Sequence, residues 1–447
     1  MKIHTLGGFS EVGKNMTAVE LKDDVIIFDC GLHLPAIIEL QEKEENQDNI
    51  SEQKLRQAGA IPDDTVLDRL NLRKKVRAVL VGHAHLDHVG ALPHIGARYN
   101  APIYGTPFTI AVLKRLLEDS KKALPNKLIQ VNPDTTVYIQ GAKKKYKVDF
   151  INITHSTLQT TMIALHTDEG IVLYANDFKF DNNPIIGEKP NYKKLKQLGK
   201  KGVKCLIVDS LYSNADGKTP SEKVARSLLE DVMLTTNNRK AGIFVTTFSS
   251  HIARLKSIVD FGKKLNRQIV FLGRSLNKYV SAAIDVKLCP FKDDIKLASY
   301  RKQVESILRR IDQDRTKYLV VCTGHQGEPG AMLDRIASNQ VPLKLLPDDH
   351  IIFSSKTIPT ELTLANRKVL ETKLRKKRVR IFDNAHVSGH ASREDLRDFL
   401  SLVKPKHIIP AHGDIKQESG MIDLAQELGY ITGKNSHLMH DGQVLEI

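Results

Sequence analysis

Four side chains that bind transition metals occur close together in the segment HAHLDH, residues 83–88. They are His83, His85, Asp87 and His88. The apolar run VRAVLVG precedes the segment, so the segment begins where a buried strand is expected to end. In an extended loop, side chains two residues apart can face the same point. Imidazole and carboxylate ligands together suit zinc, manganese or iron. The segment therefore predicts a metal site at a strand end.

Three further candidate ligands lie downstream, and each follows an apolar run: His155, Asp177 and His412. Seven ligands fit two metal ions that share one carboxylate. One ion would take His83, His85, His155 and Asp177, and the other would take Asp87, His88, Asp177 and His412. Paired ions about 3.5–4 Å apart are typical of enzymes that hydrolyse phosphoesters. Asp29, at the end of the run DVIIFD, is expected to hold a ligand or the nearby loop from outside the coordination sphere.

The elements that must position these residues change character along the chain. Strand-like apolar runs dominate up to KCLIVDS, the run that contains Asp209. Buried strands then alternate with helical segments, which is typical of a parallel sheet with crossover helices. We therefore predict a β-rich α/β domain, residues 1–212 and 366–447, into which a second α/β domain is inserted at residues 213–365. The polar stretch at residues 41–59 predicts an exposed insertion.

The composition favours a globular protein with a polyanionic partner. The chain has 447 residues, 41% of them hydrophobic, and a formal net charge of +15. That surplus favours nucleic acid or an anionic membrane surface as the partner. No apolar window is long enough for a membrane span, and the N-terminus lacks the apolar stretch of a signal peptide. Four scattered cysteines fit buried thiols in a reducing compartment, so we expect a cytoplasmic protein without a membrane partner.

HAHLDH, taken with Asp29, His155, Asp177 and His412, resembles the metallo-β-lactamase superfamily. This resemblance implies an αββα sandwich and the division of ligands described above. Three further stretches, spaced around the inserted domain, resemble the motifs of the β-CASP nucleases: KCLIVDS, HVSGHAS and PAHGD. The β-CASP resemblance implies that the inserted domain is Rossmann-like, with a mostly parallel sheet.

The β-CASP resemblance also assigns catalytic roles. It implies that His390 protonates the leaving 3′ oxygen and that Asp209 hydrogen-bonds this histidine and tunes it. The chemistry is reasonable, because an acid is needed opposite the attacking water and the pKa of histidine suits that task. Together with the ligand Asp87, these two residues form the expected catalytic group.

Within the β-CASP nucleases, TGHQGEPGAML and HVSGHASREDL resemble stretches of the ribonuclease J family, and the likeness extends over nearly the whole chain. The sequence ends with LMHDGQVLEI, which resembles the compact archaeal type. The resemblance implies 5′→3′ degradation of RNA from a single-stranded 5′-monophosphate end, with release of nucleoside 5′-monophosphates. It also implies two zinc ions per chain, with manganese as the alternative, and a homodimer.

The resemblance places a 5′-phosphate pocket in the stretch HVSGH, which comprises His386, Val387, Ser388, Gly389 and His390. A Ser-Gly loop can direct backbone N–H groups at a phosphate, and the side chains of His386 and Ser388 add donors. Ser249, Ser250 and His251 of the inserted domain are expected to face the same cleft, and Arg274 and Ser275 are further candidates.

Three other functions are compatible with parts of this pattern. A β-CASP endonuclease of the RNA 3′-end-processing type would use the same chemistry without a 5′ pocket. A small-molecule hydrolase of the same fold would need neither the inserted domain nor the basic charge. An inactive RNA-binding scaffold would be expected to lose ligands, whereas this chain keeps all seven candidates as well as Asp209 and His390.

Overall fold

A computed structural model describes residues 1–43, 50–358, 360–383 and 385–447. These residues form two compact units. Unit 1 comprises Met1–Asn182, Gly187–Thr219 and Gly389–Ile447, and unit 2 comprises Asn183–Ile186 and Pro220–Ser388. Within the predicted exposed insertion at 41–59, residues 44–49 lie outside the described residues.

The strands, in chain order, are β1 (Lys2–Gly7), β2 (Met16–Glu20), β3 (Val25–Phe28), β4 (Val76–Leu80), β5 (Ile103–Gly105), β6 (Leu128–Gln130), β7 (Thr135–Gln140), β8 (Lys145–Asn152), β9 (Thr161–Thr167), β10 (Gly170–Ala175), β11 (Val203–Asp209), β12 (Ile243–Thr246), β13 (Gln268–Leu272), β14 (Ile295–Ala298), β15 (Tyr318–Cys322), β16 (His350–Phe353), β17 (Arg380–Phe382), β18 (His407–Ala411) and β19 (Val444–Glu446).

The helices are α1 (Leu34–Lys43), α2 (Glu52–Gln57), α3 (Thr65–Arg69), α4 (Leu86–Val89), α5 (Leu92–Ile95), α6 (Pro107–Ser120), α7 (Tyr192–Lys201), α8 (Glu222–Glu230), α9 (Ile252–Lys264), α10 (Arg274–Asp285), α11 (Arg301–Gln313), α12 (Met332–Ala337), α13 (Glu361–Lys376), α14 (Arg393–Val403) and α15 (Ile415–Glu427). A π-helical turn, Asp231–Thr235, extends α8.

Unit 1 contains two β-sheets, with strand orders β19-β1-β2-β3-β4-β5-β6 and β18-β11-β10-β9-β8-β7. One apolar core lies between them, and in it the rings of Phe28 and Tyr174 stack with centroids 5.0 Å apart. The other face of the first sheet packs against α2, α3 and α6, and the other face of the second packs against α7, α14 and α15. These layers confirm the predicted αββα sandwich.

The parallel parts of both sheets bring strand ends together. β3 and β4 pair in parallel in the first sheet, and β10, β11 and β18 pair in parallel in the second. Parallel neighbours end at the same edge of a sheet, so loops that follow them start close to one another. The predicted metal ligands and catalytic residues on these loops are therefore gathered by the topology.

Unit 2 is built on one parallel sheet with strand order β14-β13-β15-β12-β16-β17. Its central strands are buried on both faces, as apolar runs without alternation predict. This sheet confirms an α/β domain with a mostly parallel sheet. Among the described residues, no helix is long and apolar enough to cross a membrane.

The predicted division of the chain at 213 and 365 stays a prediction. The compact unit 2 begins at Pro220 and continues to Ser388, and it also includes residues 183–186. It extends beyond 365 because Arg380–Phe382 forms its last strand, paired in parallel with β16.

Gly31, shortly after β3, allows a close approach of two backbone segments. A Cβ atom at this position would lie 1.6 Å from the carbonyl oxygen of Asp87 and 2.8 Å from the backbone nitrogen of His88. We predict that Gly31→Ala lowers the melting temperature, because overpacking against backbone costs roughly 1–3 kcal/mol or more. Gly96→Ala is the control, since its nearest neighbour is a leucine side-chain end at 3.1 Å. Equal melting temperatures for both variants, measured calorimetrically, would contradict the close approach at Gly31.

Candidate metal and catalytic centre

The HAHLDH segment is separated from the end of β4 by two residues, and its last three residues lie in α4. The backbone of His85 is extended, with φ −71° and ψ 151°, and it precedes the helical residues Asp87 and His88. Two short helices follow, α4 and α5, separated by Gly90 and Ala91. The break keeps the ligand-bearing turn short and close to the strand end.

Three histidines and one carboxylate oxygen converge on a first point. The Nδ1 atom of His85 lies 3.1 Å from Nε2 of His83 and 3.1 Å from Nε2 of His155. Oδ2 of Asp177 lies 3.3 Å from His83 Nε2, 3.5 Å from His155 Nε2 and 4.0 Å from His85 Nδ1. Ligands about 2.0–2.1 Å from a tetrahedral zinc ion lie roughly 3.3–3.4 Å from one another. The four atoms therefore enclose a space of the size that one ion requires.

The second carboxylate oxygen of Asp177 faces another group of donors. Oδ1 lies 3.2 Å from Nε2 of His88 and 3.6 Å from Nε2 of His412. Oδ2 of Asp87 lies 3.7 Å and 3.8 Å from the same two nitrogens. Each oxygen of Asp177 thus belongs to one group of four donors. The structure brings all seven predicted ligands together and groups them as the sequence predicts.

The chemical state of two histidine donors in the first group fits metal binding. His155 Nδ1 donates to the carbonyl oxygen of Gly389 at 2.7 Å, so its Nε2 keeps a lone pair. Burial lowers the pKa of His83 to about 4 and that of His155 well below its ordinary value, so both rings are neutral near pH 7. Oδ1 of Asp177 is buried and receives no hydrogen bond from the described residues. Lone pairs gathered in this way repel each other unless a cation lies among them.

Three site residues have left-handed backbone conformations. Asp29, Asp177 and His412 have φ of 57°, 58° and 54°. Each lies at or just beyond the carboxyl end of a strand, namely β3, β10 and β18. A non-glycine residue in this region costs on the order of 1–3 kcal/mol and persists only where its surroundings enforce it. At these three positions the strained backbone lies at strand ends that carry the centre.

Asp29 makes the contacts expected of a residue that supports a ligand. Its Oδ2 lies 2.6 Å from Nδ1 of His88, and its Oδ1 accepts from the backbone N–H of Gly82 at 2.8 Å. The hydroxyl of Tyr174 also donates to Oδ2, at 2.7 Å. A carboxylate on the outer nitrogen of a histidine orients the ring and increases its basicity towards a metal.

The predicted acid, His390, lies against the metal ligands and is held by Asp209. Its Nδ1 is 2.7 Å from Oδ2 of Asp209, and its ring stacks on His412 with centroids 5.6 Å apart. Burial opposes a charge on His390, but the negative charges of Asp209 and Asp177 outweigh it and raise the pKa to about 9. His390 is therefore protonated near neutral pH, as a general acid must be.

The HVSGH stretch crosses the boundary between the units. His386, Val387 and Ser388 end unit 2, whereas Gly389 and His390 belong to unit 1. Their predicted role in substrate binding stays a prediction.

The serines and histidine of the inserted domain lie within unit 2. The hydroxyls of Ser249 and Ser275 are 2.9 Å apart, and Ser250 is buried. His251 is 4% exposed, and its two ring nitrogens contact the backbone N–H of Arg254 at 3.4 Å and the carboxylate of Glu222 at 3.3 Å. These contacts place His251 in a buried network, and its predicted contact with substrate remains a prediction.

Sequence reasoning missed two side chains at the centre. The amide nitrogen of Asn15 lies 2.9 Å from Nδ1 of His412 and 3.1 Å from Nε2 of His88. The ring of Tyr212 stacks on His390 at 6.0 Å. Asn15 directly precedes β2 and is far along the chain from both histidines, so no local pattern indicated these contacts.

Comparison with known proteins decides the family. The chain is 42% identical to the ribonuclease J of Methanocaldococcus jannaschii over 447 residues, which cover all of this chain and 98% of that protein. It is 43% identical to the ribonuclease J of Pyrococcus abyssi over 449 aligned residues, covering all of this chain and 97% of that protein. The chain belongs to the ribonuclease J family. The predicted likeness to the archaeal type of ribonuclease J is confirmed.

Three family models match successive parts of the chain. The metallo-beta-lactamase superfamily matches residues 10–202, the ribonuclease J beta-CASP domain matches 240–371, and the Zn-dependent metallo-hydrolase RNA specificity domain matches 376–438. A solved structure of a protein of unknown function from Enterococcus faecalis has a TM-score of 0.65 at 17% identity and covers 99% of both chains. That likeness supports the fold alone.

Asp29→Asn tests the support of the metal ligands. We predict that zinc affinity falls by about 10- to 100-fold, because the side-chain amide of asparagine is neutral and no longer provides a charged acceptor to His88. The measurement is a competitive zinc titration of the metal-free protein.

Asp24→Asn is a matched control for this substitution. Asp24 is equally buried and accepts from a tyrosine hydroxyl, that of Tyr146, at 2.9 Å. It should lose stability without losing zinc affinity. The same zinc affinity in Asp29→Asn as in the unmodified chain would refute the support role.

Proposed function

We propose that this chain is a metal-dependent 5′→3′ exoribonuclease that hydrolyses RNA from a 5′-monophosphate end and releases nucleoside 5′-monophosphates. The observation that carries this proposal is the position of Asp177, with one oxygen in each of two groups of four donors. Membership of the ribonuclease J family supports RNA as the substrate. The proposal includes turnover and maturation of RNA as the role in the cell.

The two donor groups would each hold one zinc ion, with manganese as the alternative. His83, His85 and His155 would bind the first ion, Asp87, His88 and His412 the second, and Asp177 both. When bound, the ions would polarise the scissile phosphate and make a water molecule more acidic. Nitrogen-rich donors favour zinc, whereas the shared carboxylate also tolerates manganese.

The protein's own acid would act on the opposite side of the phosphorus. Asp209 accepts a hydrogen bond from Nδ1 of His390, so Nε2 is the nitrogen that would donate its proton to the leaving 3′ oxygen. The raised pKa of His390 keeps this proton in place near pH 7. Asp209 then stabilises the ring in one orientation throughout turnover.

RNA would be held by its backbone and by its 5′ end. The formal net charge of +15 supports salt-sensitive binding to phosphates. The loop 386–390 would hold the 5′-monophosphate through donors of His386 and Ser388 and through backbone N–H groups. Ser249, Ser250 and His251 would contribute from the inserted domain.

We also propose an oligomeric state and a cellular location for the protein. The family supports a homodimer, which light scattering would measure. The four cysteines are buried and free of disulfides, which supports a reducing compartment such as the cytoplasm.

His390→Ala tests the proposed acid. We predict a loss of turnover of about 10²–10⁴-fold, the usual contribution of general acid catalysis, with metal content unchanged. The measurements are single-turnover rates and elemental analysis of the purified variant. Asp87→Ala is the comparison, because removing a ligand should reduce both metal content and hydrolysis while RNA binding persists. Loss of metal from His390→Ala would identify His390 as a ligand instead.

A 5′-labelled RNA with either a monophosphate or a triphosphate end tests the direction of degradation. We predict immediate release of labelled mononucleotide, faster from the monophosphate, and a weaker preference in Ser388→Ala because a donor to the phosphate is lost. Labelled fragments of intermediate length, produced equally from both ends, would instead identify an endonuclease.

A further inference from the structure

One fully buried arginine joins several segments of unit 2. Arg254, on α9, is 0% exposed. Its Nε and Nη2 atoms donate to the two carboxylate oxygens of Glu222 at 2.5 Å and 2.8 Å. Its Nη1 atom donates to the carbonyl and the hydroxyl of Ser354 at 2.7 Å and 2.9 Å. The bidentate pair with Glu222 and the bonds to Ser354 together fix the guanidinium plane between the start of α8 and the end of β16.

The same Nη1 atom reaches the segment that precedes the HVSGH stretch. It lies 3.4 Å from the carbonyl oxygen of Ala385 and 3.4 Å from Nδ1 of His386. The hydroxyl of Ser354 also donates to the carbonyl of Ala385, at 2.6 Å. The backbone at the start of the stretch is therefore attached to Arg254 directly and through Ser354.

The contact with His386 determines where that ring carries its proton. A guanidinium has no acceptor atom, so in this 3.4 Å contact Nδ1 of His386 can only accept, from an N–H of Nη1 that it shares with the nearer acceptors of Ser354. Burial and the charge of Arg254 lower the pKa of His386 to about 3, so the ring is neutral. A neutral ring that accepts at Nδ1 carries its proton at Nε2 and can donate from there.

We propose that Arg254 is a positioning residue for 5′-end recognition: it holds the backbone at Ala385 and fixes His386 as a neutral Nε2–H donor to an anionic phosphate oxygen. This inference rests on the proposed function, in which the loop 386–390 holds the 5′-monophosphate. Arg254 acts through His386 and Ser354, because its own side chain is buried and paired with Glu222. A lysine would keep the charge but lose the planar set of donors.

Unit 2 offers a matched control at the opposite end of the same strand. Arg315 is also a mostly buried arginine, and its Nη1 donates to the buried carboxylate of Asp349 at 2.6 Å. Asp349 directly precedes β16, whereas Ser354 directly follows it. Arg315→Lys therefore removes a comparable pair from the same sheet without touching the loop 386–390.

The experiment uses the metal-loaded full chain and two RNAs of one sequence, one with a 5′-monophosphate and one with a 5′-hydroxyl. For Arg254→Lys we expect KM for the monophosphate RNA to rise about tenfold, as for the loss of one hydrogen bond to a charged group, with kcat nearly unchanged. KM for the hydroxyl RNA should stay the same. Arg315→Lys should lower the melting temperature similarly and leave the preference between ends intact.

Two further variants test whether Arg254 acts through His386 and Ser354. In a His386→Ala background, Arg254→Lys should cause no additional rise in KM, because the two residues act in series. Additive effects, or a change in melting temperature alone, would overturn the inference. Ser354→Ala should raise KM in the same direction if Arg254→Lys does not fold. Absence of any 5′-monophosphate preference in the unmodified chain would instead remove the proposed function.

Discussion

The structure depends on holding electron-rich atoms close together around Asp177. Nε2 of His83 and Nε2 of His155 lie 3.3 Å and 3.5 Å from its Oδ2, and each lies 3.1 Å from Nδ1 of His85. Its Oδ1 faces the Nε2 atoms of His88 and His412. This arrangement is unfavourable without a cation, so the folding free energy of the two-sheet core must enforce it. The left-handed backbone of Asp177 and His412 is a further cost that the same core offsets. Metal binding should therefore add directly to the stability of unit 1.

Sequence reasoning succeeded where chemistry and topology coincide. Every predicted ligand follows an apolar run, and parallel strands end at one edge of their sheet, so ligands that follow β10 and β18 were expected close together. The packing of the two sheets, which places HAHLDH beside them, does not follow from this rule. It failed where a contact depends on distant backbone. Asn15 reaches His412 across 397 positions, and nothing in its residue type announces that contact. β17 pairs with β16 in the sheet of unit 2, and the predicted boundary at residue 365 stays a prediction.

The stretch from Ala385 to His390 is attached at both ends by groups with chemical roles. In unit 2, the carbonyl of Ala385 accepts from Ser354 and Arg254. In unit 1, the carbonyl of Gly389 accepts from Nδ1 of His155, a predicted metal ligand. That second bond sets which nitrogen of His155 faces the ions. In the proposed function, the loop that would hold the 5′-monophosphate and the carbonyl that orients His155 therefore belong to one covalent segment.

One residue type performs opposite tasks in this centre because its neighbours differ. His83 and His155 are buried among other imidazoles, which keeps them neutral and leaves lone pairs for metal ions. His390 is also buried, but its contact with Asp209 reverses the balance and retains the proton. His88 also has a carboxylate on Nδ1, that of Asp29, and although burial opposes a charge, the charges of Asp177, Asp29 and Asp87 raise its pKa well above the ordinary value. The two rings differ at the other nitrogen: Nε2 of His88 lies 3.2 Å from Asp177 and 3.7 Å from Asp87, in a group of donors where a bound metal ion would replace its proton. In the proposed function, His390 would instead keep its proton and donate it to the leaving group.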